Sequence, residues 1–183
     1  MPPIADGAMT PAQRAAAHEI ATGRRGGVYG PFVPALRSPE LTRRLQSVGD
    51  YLRYDSTLEP RLREMIILLT ARGWTQDFEW QVHAPIGLDA GLAPATVTAI
   101  ADGRRPDVMR DDEALVWDLV AEIDRTRSVS DSTYTRAVAT LTEQGLIDLI
   151  GTVGYYTTLA MIMNVARTPP PDGRTPVLRR LPD

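Results

Sequence analysis

The stretch PRLREMIILLTARGWTQDFEWQVHAPIGLDAGL, residues 60–92, decides the fold. Pro60 suits the first turn of a helix, and Gly73 suits its end, because glycine accepts the left-handed conformation that closes many helices. A second helix follows, capped by Thr75 and ended by Gly91. Helices joined by so short a turn pack as antiparallel neighbours, so the stretch predicts a helical hairpin.

Polar side chains interrupt the apolar faces of this hairpin. Glu64 lies three, four and seven residues before Ile67, Leu68 and Ala71, and therefore shares their inward face. An unpaired carboxylate is costly to bury, so Glu64 needs a cation or a hydrogen-bond donor as its partner. We expect that partner on the second helix, because the short turn brings His83 close to Glu64.

Gln76, Glu79 and His83 share one face of the second helix, at spacings of three and seven residues. Two interpretations stay open. In the first, His83, Glu79 and Glu64 form a proton-transfer cluster in which the carboxylates raise the pKa of the imidazole. In the second, they form a hydrogen-bonded internal network without chemistry. A metal site is not favoured, because a second histidine and the Glu-x-x-His spacing of di-iron bundles are missing.

Helical signals continue on both sides of the hairpin, and no segment shows the alternation of a strand. The predicted helices span residues 10–23, 38–53, 60–73, 75–91 and 94–103, begin again at 111 or 112, and continue over 130–145 and 146–166. Their predicted inward stripes include Leu41, Leu45, Val48 and Leu52 in the second helix, and Tyr134, Val138 and Leu141 in the seventh. The sequence therefore predicts an all-α, single-domain bundle of about eight helices.

Three regions are expected along this bundle. Residues 1–37 would hold a helix and an irregular Gly/Pro loop, and residues 38–167 the main helical domain. Residues 168–183 form a proline-rich tail, which we expect not to be helical and either to wrap a neighbour or to stay mobile. His18, in the first helix, is expected at the surface.

Composition excludes several kinds of chemistry. The absence of cysteine rules out disulfides, thiolate nucleophiles and redox C-x-x-C pairs. All 20 basic residues are arginine, which rules out a lysine Schiff base. A formal net charge of -3 offers no basic excess for a nucleic-acid partner. We expect neither a cofactor nor a metal.

Residues 146–166 form the longest apolar run. Its length would allow a membrane span, but a helix that is apolar on most faces also suits the centre of a bundle. We favour the central helix, because Asp148, Tyr155 and Tyr156 interrupt the run. The chain opens without the pattern of a signal peptide, so we expect a cytoplasmic protein with no membrane contact.

Residues 60–100 resemble the carboxymuconolactone decarboxylase family, which includes the alkyl hydroperoxidase D-like proteins. The resemblance rests on Arg63-Glu64, on E-W-x-x-H at residues 79–83, and on A-G-L at residues 90–92 before a short helix. It extends over residues 40–165, with a weaker second half, and indicates a longer, cysteine-free branch of the family.

The resemblance implies an all-helical fold that assembles as trimers or hexamers, with a site between the paired helices near a subunit boundary. In the peroxidase branch, a glutamate, a C-x-x-C pair and a histidine form a proton relay. This chain has Glu64, Gln76, Glu79 and His83 at those four positions. Peroxidase chemistry needs the thiols and is therefore excluded. The decarboxylase branch works by acid–base chemistry without a cofactor, and its histidine matches His83.

We therefore expect a cofactor-independent lyase that acts on a small carboxylated or enolisable ring compound. His83 or Glu79 would protonate the carbanion left by departing carbon dioxide, and Glu64 would tune that proton donor. The residues expected to contact the substrate are Gln76, Trp80 and Arg63. The arginine that binds a substrate carboxylate stays open among Arg53, Arg63 and Arg72. Four aromatic residues are expected either to line an apolar pocket or to pack in the core: Trp74, Trp80, Tyr155 and Tyr156.

The alternative is a non-catalytic helical oligomer that binds a small apolar ligand or supports a partner enzyme. Under either interpretation we expect a homo-oligomer, because helices that are apolar on several faces commonly bury the excess against copies of themselves.

Overall fold

The fold is a bundle of α-helices over residues 1–180, the part of the chain that this computed structural model describes. The helices are α1 (Pro11–Thr22), α2 (Phe32–Ala35), α3 (Pro39–Asp50), α4 (Pro60–Gly73), α5 (Asp77–Asp89), α6 (Pro94–Ala101), α7 (Asp111–Thr126) and α8 (Asp131–Ala166). A π-helical turn, Tyr51–Asp55, follows α3, and 3-10 turns cover Asp6–Ala8 and Pro171–Gly173. No strand occurs within residues 1–180, so the all-α prediction is confirmed.

Helix α8 is the central helix, as predicted. It packs against α2, α3, α4 and α7, and its buried Leu149 joins Met65 and Ile66 of α4 and Leu119 of α7 in the main core. Among the described helices, α8 alone has the length and composition of a membrane span, and half of its most apolar stretch is buried within the protein. The second core cluster uses residues further along the same helix: Tyr155, Tyr156, Leu159 and Met163.

The predicted break between a seventh and an eighth helix exists, but it lies at Thr142 and not after Gly145. Residues 131–166 form one helical element, interrupted at Thr142, where the backbone has φ 67° and ψ 169°. Gly145 was expected to end a helix, but it is buried inside α8, where a Cβ would lie 3.2 Å from Leu141. Close packing explains this glycine. Of the expected inward stripe, Val138 and Leu141 pack against the main core, but Tyr134 is exposed.

The inward face of α3 differs from its prediction as well. Leu41 and Val48 are exposed, while Thr42 and Gln46 are buried. The buried polar groups have partners: the Thr42 hydroxyl donates to the carbonyl of Ala35, and the Gln46 amide oxygen accepts a hydrogen bond from Arg25 at 2.8 Å. The predicted stripe is right for Leu45 and Leu52, which pack in the second core cluster, and wrong for Leu41 and Val48.

Two segments expected to be irregular contain ordered structure. The Gly/Pro loop at 24–37 includes the short helix α2, and the tail forms a 3-10 turn before it crosses the start of α5. There, the backbone N–H groups of Val177 and Leu178 both donate to Asp77, at 2.6 and 3.0 Å, and Leu178 is buried in the main core. Through residue 180 the tail therefore binds its own chain. The last three residues of the predicted tail lie outside the described residues.

Candidate functional site

The turn between α4 and α5 brings the predicted site residues together. Thr75 was expected to cap α5, but it has a positive φ of 46°, and the cap is Gln76, whose side-chain oxygen accepts from the N–H of Phe78 at 2.8 Å. The two helices then pack closely. A Cβ on Gly87, one turn after His83, would lie in ordinary contact with the Cβ of Glu64, at 3.5 Å, so α5 runs directly beside Glu64 here.

His83 is held between two carboxylates. Its Nδ1 lies 2.7 Å from Oε2 of Glu64, which is the distance of a charge-assisted hydrogen bond. Its Nε2 lies 3.4 Å from Oε2 of Glu79 and 3.4 Å from the hydroxyl of Tyr156. We refer to Glu64, Glu79, His83 and Tyr156 as the His83 cluster. The structure thus brings together the three residues predicted as catalytic.

Tyr156 is the member of this cluster to which sequence reasoning gave no chemical role. Its ring meets the imidazole edge-on, with centroids 5.3 Å apart and an interplanar angle of 89°. It belongs to α8, 73 residues after His83, so no local spacing links the two. The available signal was a pair of tyrosines within the most apolar helix, where buried hydroxyl groups need polar partners.

The surroundings of His83 favour its protonated form. Burial alone would lower the pKa of the imidazole, but hydrogen bonds to Glu64 and Glu79 and the charges of these carboxylates outweigh burial and raise that pKa. In the imidazolium form Nδ1–H donates to Glu64, and Nε2–H is directed toward Glu79 and Tyr156. This arrangement can hold a proton at Nε2 and deliver it to a group that approaches there.

The His83 cluster is buried inside the chain. Glu64 and His83 are each 2% exposed, Tyr156 3% and Glu79 4%. Trp74, which was expected to line either a pocket or the core, lines an apolar cavity of about 420 Å³ with Leu69, Ile123 and Thr157, among others, and none of the four cluster residues lines it. Within residues 1–180, no group of three or more His, Asp or Glu side chains has the arrangement of a metal site.

The three candidate arginines lie in different places. Arg63 is half-buried beside the cluster, with Nε 3.6 Å from Oε1 of Glu64. Arg72 lies under the tail and donates to the carbonyl of Arg179 at 2.7 Å, and burial lowers its pKa. Arg53 belongs to the π-helical turn, and its guanidinium lies 5.4 Å from the ring of Tyr54. Arg72 is therefore remote from the cluster.

The other predicted contact residues face elsewhere. The amide of Gln76 is engaged at both ends, since its nitrogen donates to Asn164 at 2.7 Å and its oxygen caps α5. Trp80 is buried in the main core with Leu62 and Met65. The structure brings neither side chain into polar contact with His83.

The sequence model of the carboxymuconolactone decarboxylase family matches residues 39–118. The match covers under half of the chain, and similarity to this family is shown for that segment. The family segment contains α3 to α6 and the first half of α7, and with them Glu64, Glu79 and His83. Tyr156 lies outside it, so the predicted extent of 40–165 is confirmed for its first part. No curated protein matches the chain.

Proposed function

We propose that this protein is a cofactor-independent lyase of the carboxymuconolactone decarboxylase type, acting on a small carboxylated ring compound. The observation that carries the proposal is His83 between Glu64 and Glu79, with Nδ1 2.7 Å from one carboxylate and Nε2 3.4 Å from the other. The family suggests decarboxylase-like or peroxidase-like activity. The chain has no cysteine for the peroxidase reaction, which leaves the acid–base route.

In the proposed reaction the bond between the ring carbon and a carboxylate breaks, and its electron pair moves into an adjacent carbonyl as an enolate while carbon dioxide leaves. The Nε2–H of His83 then donates its proton to the ring carbon. Glu64 holds the opposite nitrogen and stabilises the imidazolium before transfer. Glu79 and Tyr156 lie at Nε2 and provide the route by which a proton from solvent restores the imidazolium.

A second function is supported by the enclosure of the cluster. A His83 cluster with 2–4% exposure also suits an internal network in a non-catalytic helical protein that binds a small apolar ligand or supports a partner enzyme. Under that function the network rigidifies the α4–α5 hairpin, and a ligand would use a site such as the cavity lined by Trp74.

The test is an ultraviolet assay of γ-carboxymuconolactone consumption by the wild type and His83→Gln. The chain offers a matched control, because His18, the other histidine, is exposed on α1. The lyase proposal expects turnover by the wild type and by His18→Gln, and a loss of at least about a hundredfold in His83→Gln. Equal turnover by all three proteins would refute the proton-transfer role. Loss of fold in His83→Gln, without turnover in the wild type, would favour the internal network.

We also propose that the protein is a homo-oligomer. The outward side of α8 carries a stripe of apolar side chains, Ile147, Ile150, Met161 and Val165, of which Ile147 is 66% and Val165 75% exposed. Such a stripe is typical of a surface that binds another protein. Light scattering on the wild type and on Ile147→Glu tests this: we expect an oligomer that the substitution dissociates. A cytoplasmic location stays a prediction.

A further inference from the structure

Arg53 is a half-buried arginine without a carboxylate partner. It lies in the π-helical turn Tyr51–Asp55, and among residues 1–180 no acidic side chain forms an ion pair with it. Its neighbour Arg24, whose guanidinium lies 5.2 Å from the same Tyr54 ring, instead pairs with Asp55 at 3.0 Å. A guanidinium that is partly withdrawn from water and unpaired is suited to bind an anion.

The hydroxyl of Tyr155 is a second unused polar group in this region. Tyr155 is 5% exposed, and its hydroxyl oxygen is buried without a hydrogen-bond partner. A Cβ on Gly49 would overlap that oxygen, so the glycine leaves space for the hydroxyl at the end of α3. Since nearly all buried hydroxyl groups in proteins have partners, one without any indicates a place where a ligand or water binds.

Packing connects these two groups to the His83 cluster. Leu52, which precedes Arg53, belongs to the second core cluster together with Tyr155 and Tyr156. The rings of the two tyrosines are 5.3 Å apart, and that of Tyr156 is equally far from the imidazole of His83. Tyr155 and His83 therefore both contact the ring of Tyr156, and Arg53 directly follows a residue of the same cluster.

Asp148 fixes the turn that carries Arg53. One of its carboxylate oxygens accepts a hydrogen bond from the hydroxyl of Tyr51 at 2.9 Å, and the other accepts from both the N–H and the hydroxyl of Thr57 at 2.9 Å. These bonds bracket the π-helical turn and fasten it to α8. Single π-helical turns interrupt helices frequently at functional sites, where they direct a side chain that a regular helix would turn away.

Electrostatics agrees with this arrangement. Burial by itself would lower the pKa of Arg53, but the ionisable groups of Tyr156, Tyr54, Glu64 and Glu79 outweigh burial and raise it. The guanidinium is thus within electrostatic reach of both carboxylates that hold His83.

We propose that Arg53 and the hydroxyl of Tyr155 bind a carboxylate that the substrate retains, and that Asp148 positions Arg53 for this contact. The proposal rests on the proposed function and assigns Arg53 and Tyr155 to the carboxylate subsite of its substrate. An ion pair to the departing carboxylate would stabilise the ground state more than the transition state and slow the reaction. Arg53 therefore binds the carboxylate that stays, and holds the other one toward His83.

The test uses 2-furoate, a ring with one carboxylate and no group to lose, and its uncharged counterpart methyl 2-furoate. Binding is measured by NMR titration of the wild type, Arg53→Gln and the matched control Arg24→Gln. We expect Arg53→Gln to weaken 2-furoate binding about ten- to hundredfold, as for the loss of a charged hydrogen bond. Arg24→Gln should leave it unchanged, and the ester should bind to all three proteins only weakly.

Three further variants separate binding from folding. Arg53→Lys keeps the charge without the planar fork and should retain part of the affinity. Tyr155→Phe should weaken binding several-fold without loss of thermal stability, because the hydroxyl has no partner in the protein. Asp148→Asn should weaken binding in the wild type but not in Arg53→Gln, since a positioning residue acts only through the group that it positions.

Three results would overturn the inference: no binding of 2-furoate to the wild type, equal binding to Arg53→Gln, or equal binding of the ester. These outcomes are distinct from failure of the proposed function. If 2-furoate binding depends on Arg53 but the protein shows no turnover, the carboxylate subsite is supported and the lyase function is refuted. If the protein shows turnover but 2-furoate binding does not depend on Arg53, the lyase function is supported and the subsite is refuted.

Discussion

Replacing Glu64 by glutamine removes the charge that holds His83 while keeping the size of the side chain. The hydrogen bond between Oε2 and Nδ1 is 2.7 Å long, and both residues are 2% exposed. A buried bond to a charged group contributes about 1.5–3 kcal/mol to the free energy of unfolding, and removing one partner of a buried ion pair costs about 3–5 kcal/mol. Because the glutamine oxygen can still accept from Nδ1–H, we expect a loss of about 2–3 kcal/mol.

The loss should depend on pH in a defined direction. The pKa of His83 is raised in the folded protein, so protonated His83 stabilises the fold fully below the unfolded pKa of about 6.5. This contribution disappears as the pH rises through the folded pKa. The difference between wild type and Glu64→Gln should therefore be greatest at or below about pH 6 and smaller near pH 9.

Urea unfolding followed by circular dichroism, at both pH values, measures this difference. Glu19→Gln is the matched control, because Glu19 and Arg43 form an ion pair of similar length, 2.6 Å, with both side chains 50% exposed. Its loss should be below about 1 kcal/mol. NMR should in addition show that His83 titrates at lower pH in Glu64→Gln, because one of the two carboxylates that raise its pKa against the effect of burial is gone. A loss that is equal at both pH values, or no larger than that of Glu19→Gln, would refute this reasoning.

Three further predictions concern stability. Gly49→Ala should cost about 1–3 kcal/mol by overpacking against Tyr155, and Tyr155→Phe in the same chain should recover part of it; a double variant no more stable in urea than Gly49→Ala would contradict the overlap. Asp148→Asn should cost about 1–3 kcal/mol, because the two carboxylate oxygens together accept three hydrogen bonds and an amide group would replace one of these acceptors with a donor. An unchanged urea midpoint would contradict the stabilising role of these bonds. Arg61→Leu should cost about 3–5 kcal/mol, since the guanidinium, 3% exposed, holds buried Glu113 at 2.5 Å; a denaturation midpoint within error of wild type would show that Glu113 finds another partner.

The helical hairpin and its polar cluster could be predicted because the decisive signals are local. Pro60 and Gly73 bound α4 as expected, and Glu64 faces His83 because inward spacing and a short turn leave it little else to pair with. The family resemblance rests on the same stretch, and the family model matches a segment that contains the whole hairpin.

The rest depended on contacts between residues distant in sequence. Tyr156 reaches His83 from a helix 73 residues further along the chain, and Asp148 meets Thr57 across 91 residues. Part of the inward face of α3 was missed because Thr42 and Gln46 are buried polar residues, satisfied by Ala35 and Arg25, which no hydrophobic stripe can reveal. Gly145 was predicted to end a helix because glycine occurs both at helix ends and where helices pack closely, and the sequence does not distinguish the two.

The hydrogen bonds from the tail to Asp77 affect the order in which the protein folds. The helix that bears Glu79 and His83 begins under residues 177 and 178, about a hundred positions later in the chain. During synthesis on the ribosome, α4 and α5 emerge and can pair long before that segment exists, so the start of α5 stays open to water through most of translation. Closing so long a loop is among the last entropic costs of folding. The tail therefore docks only on a completed bundle. Its local detachment is the smallest unfolding event that exposes the start of α5 to solvent again.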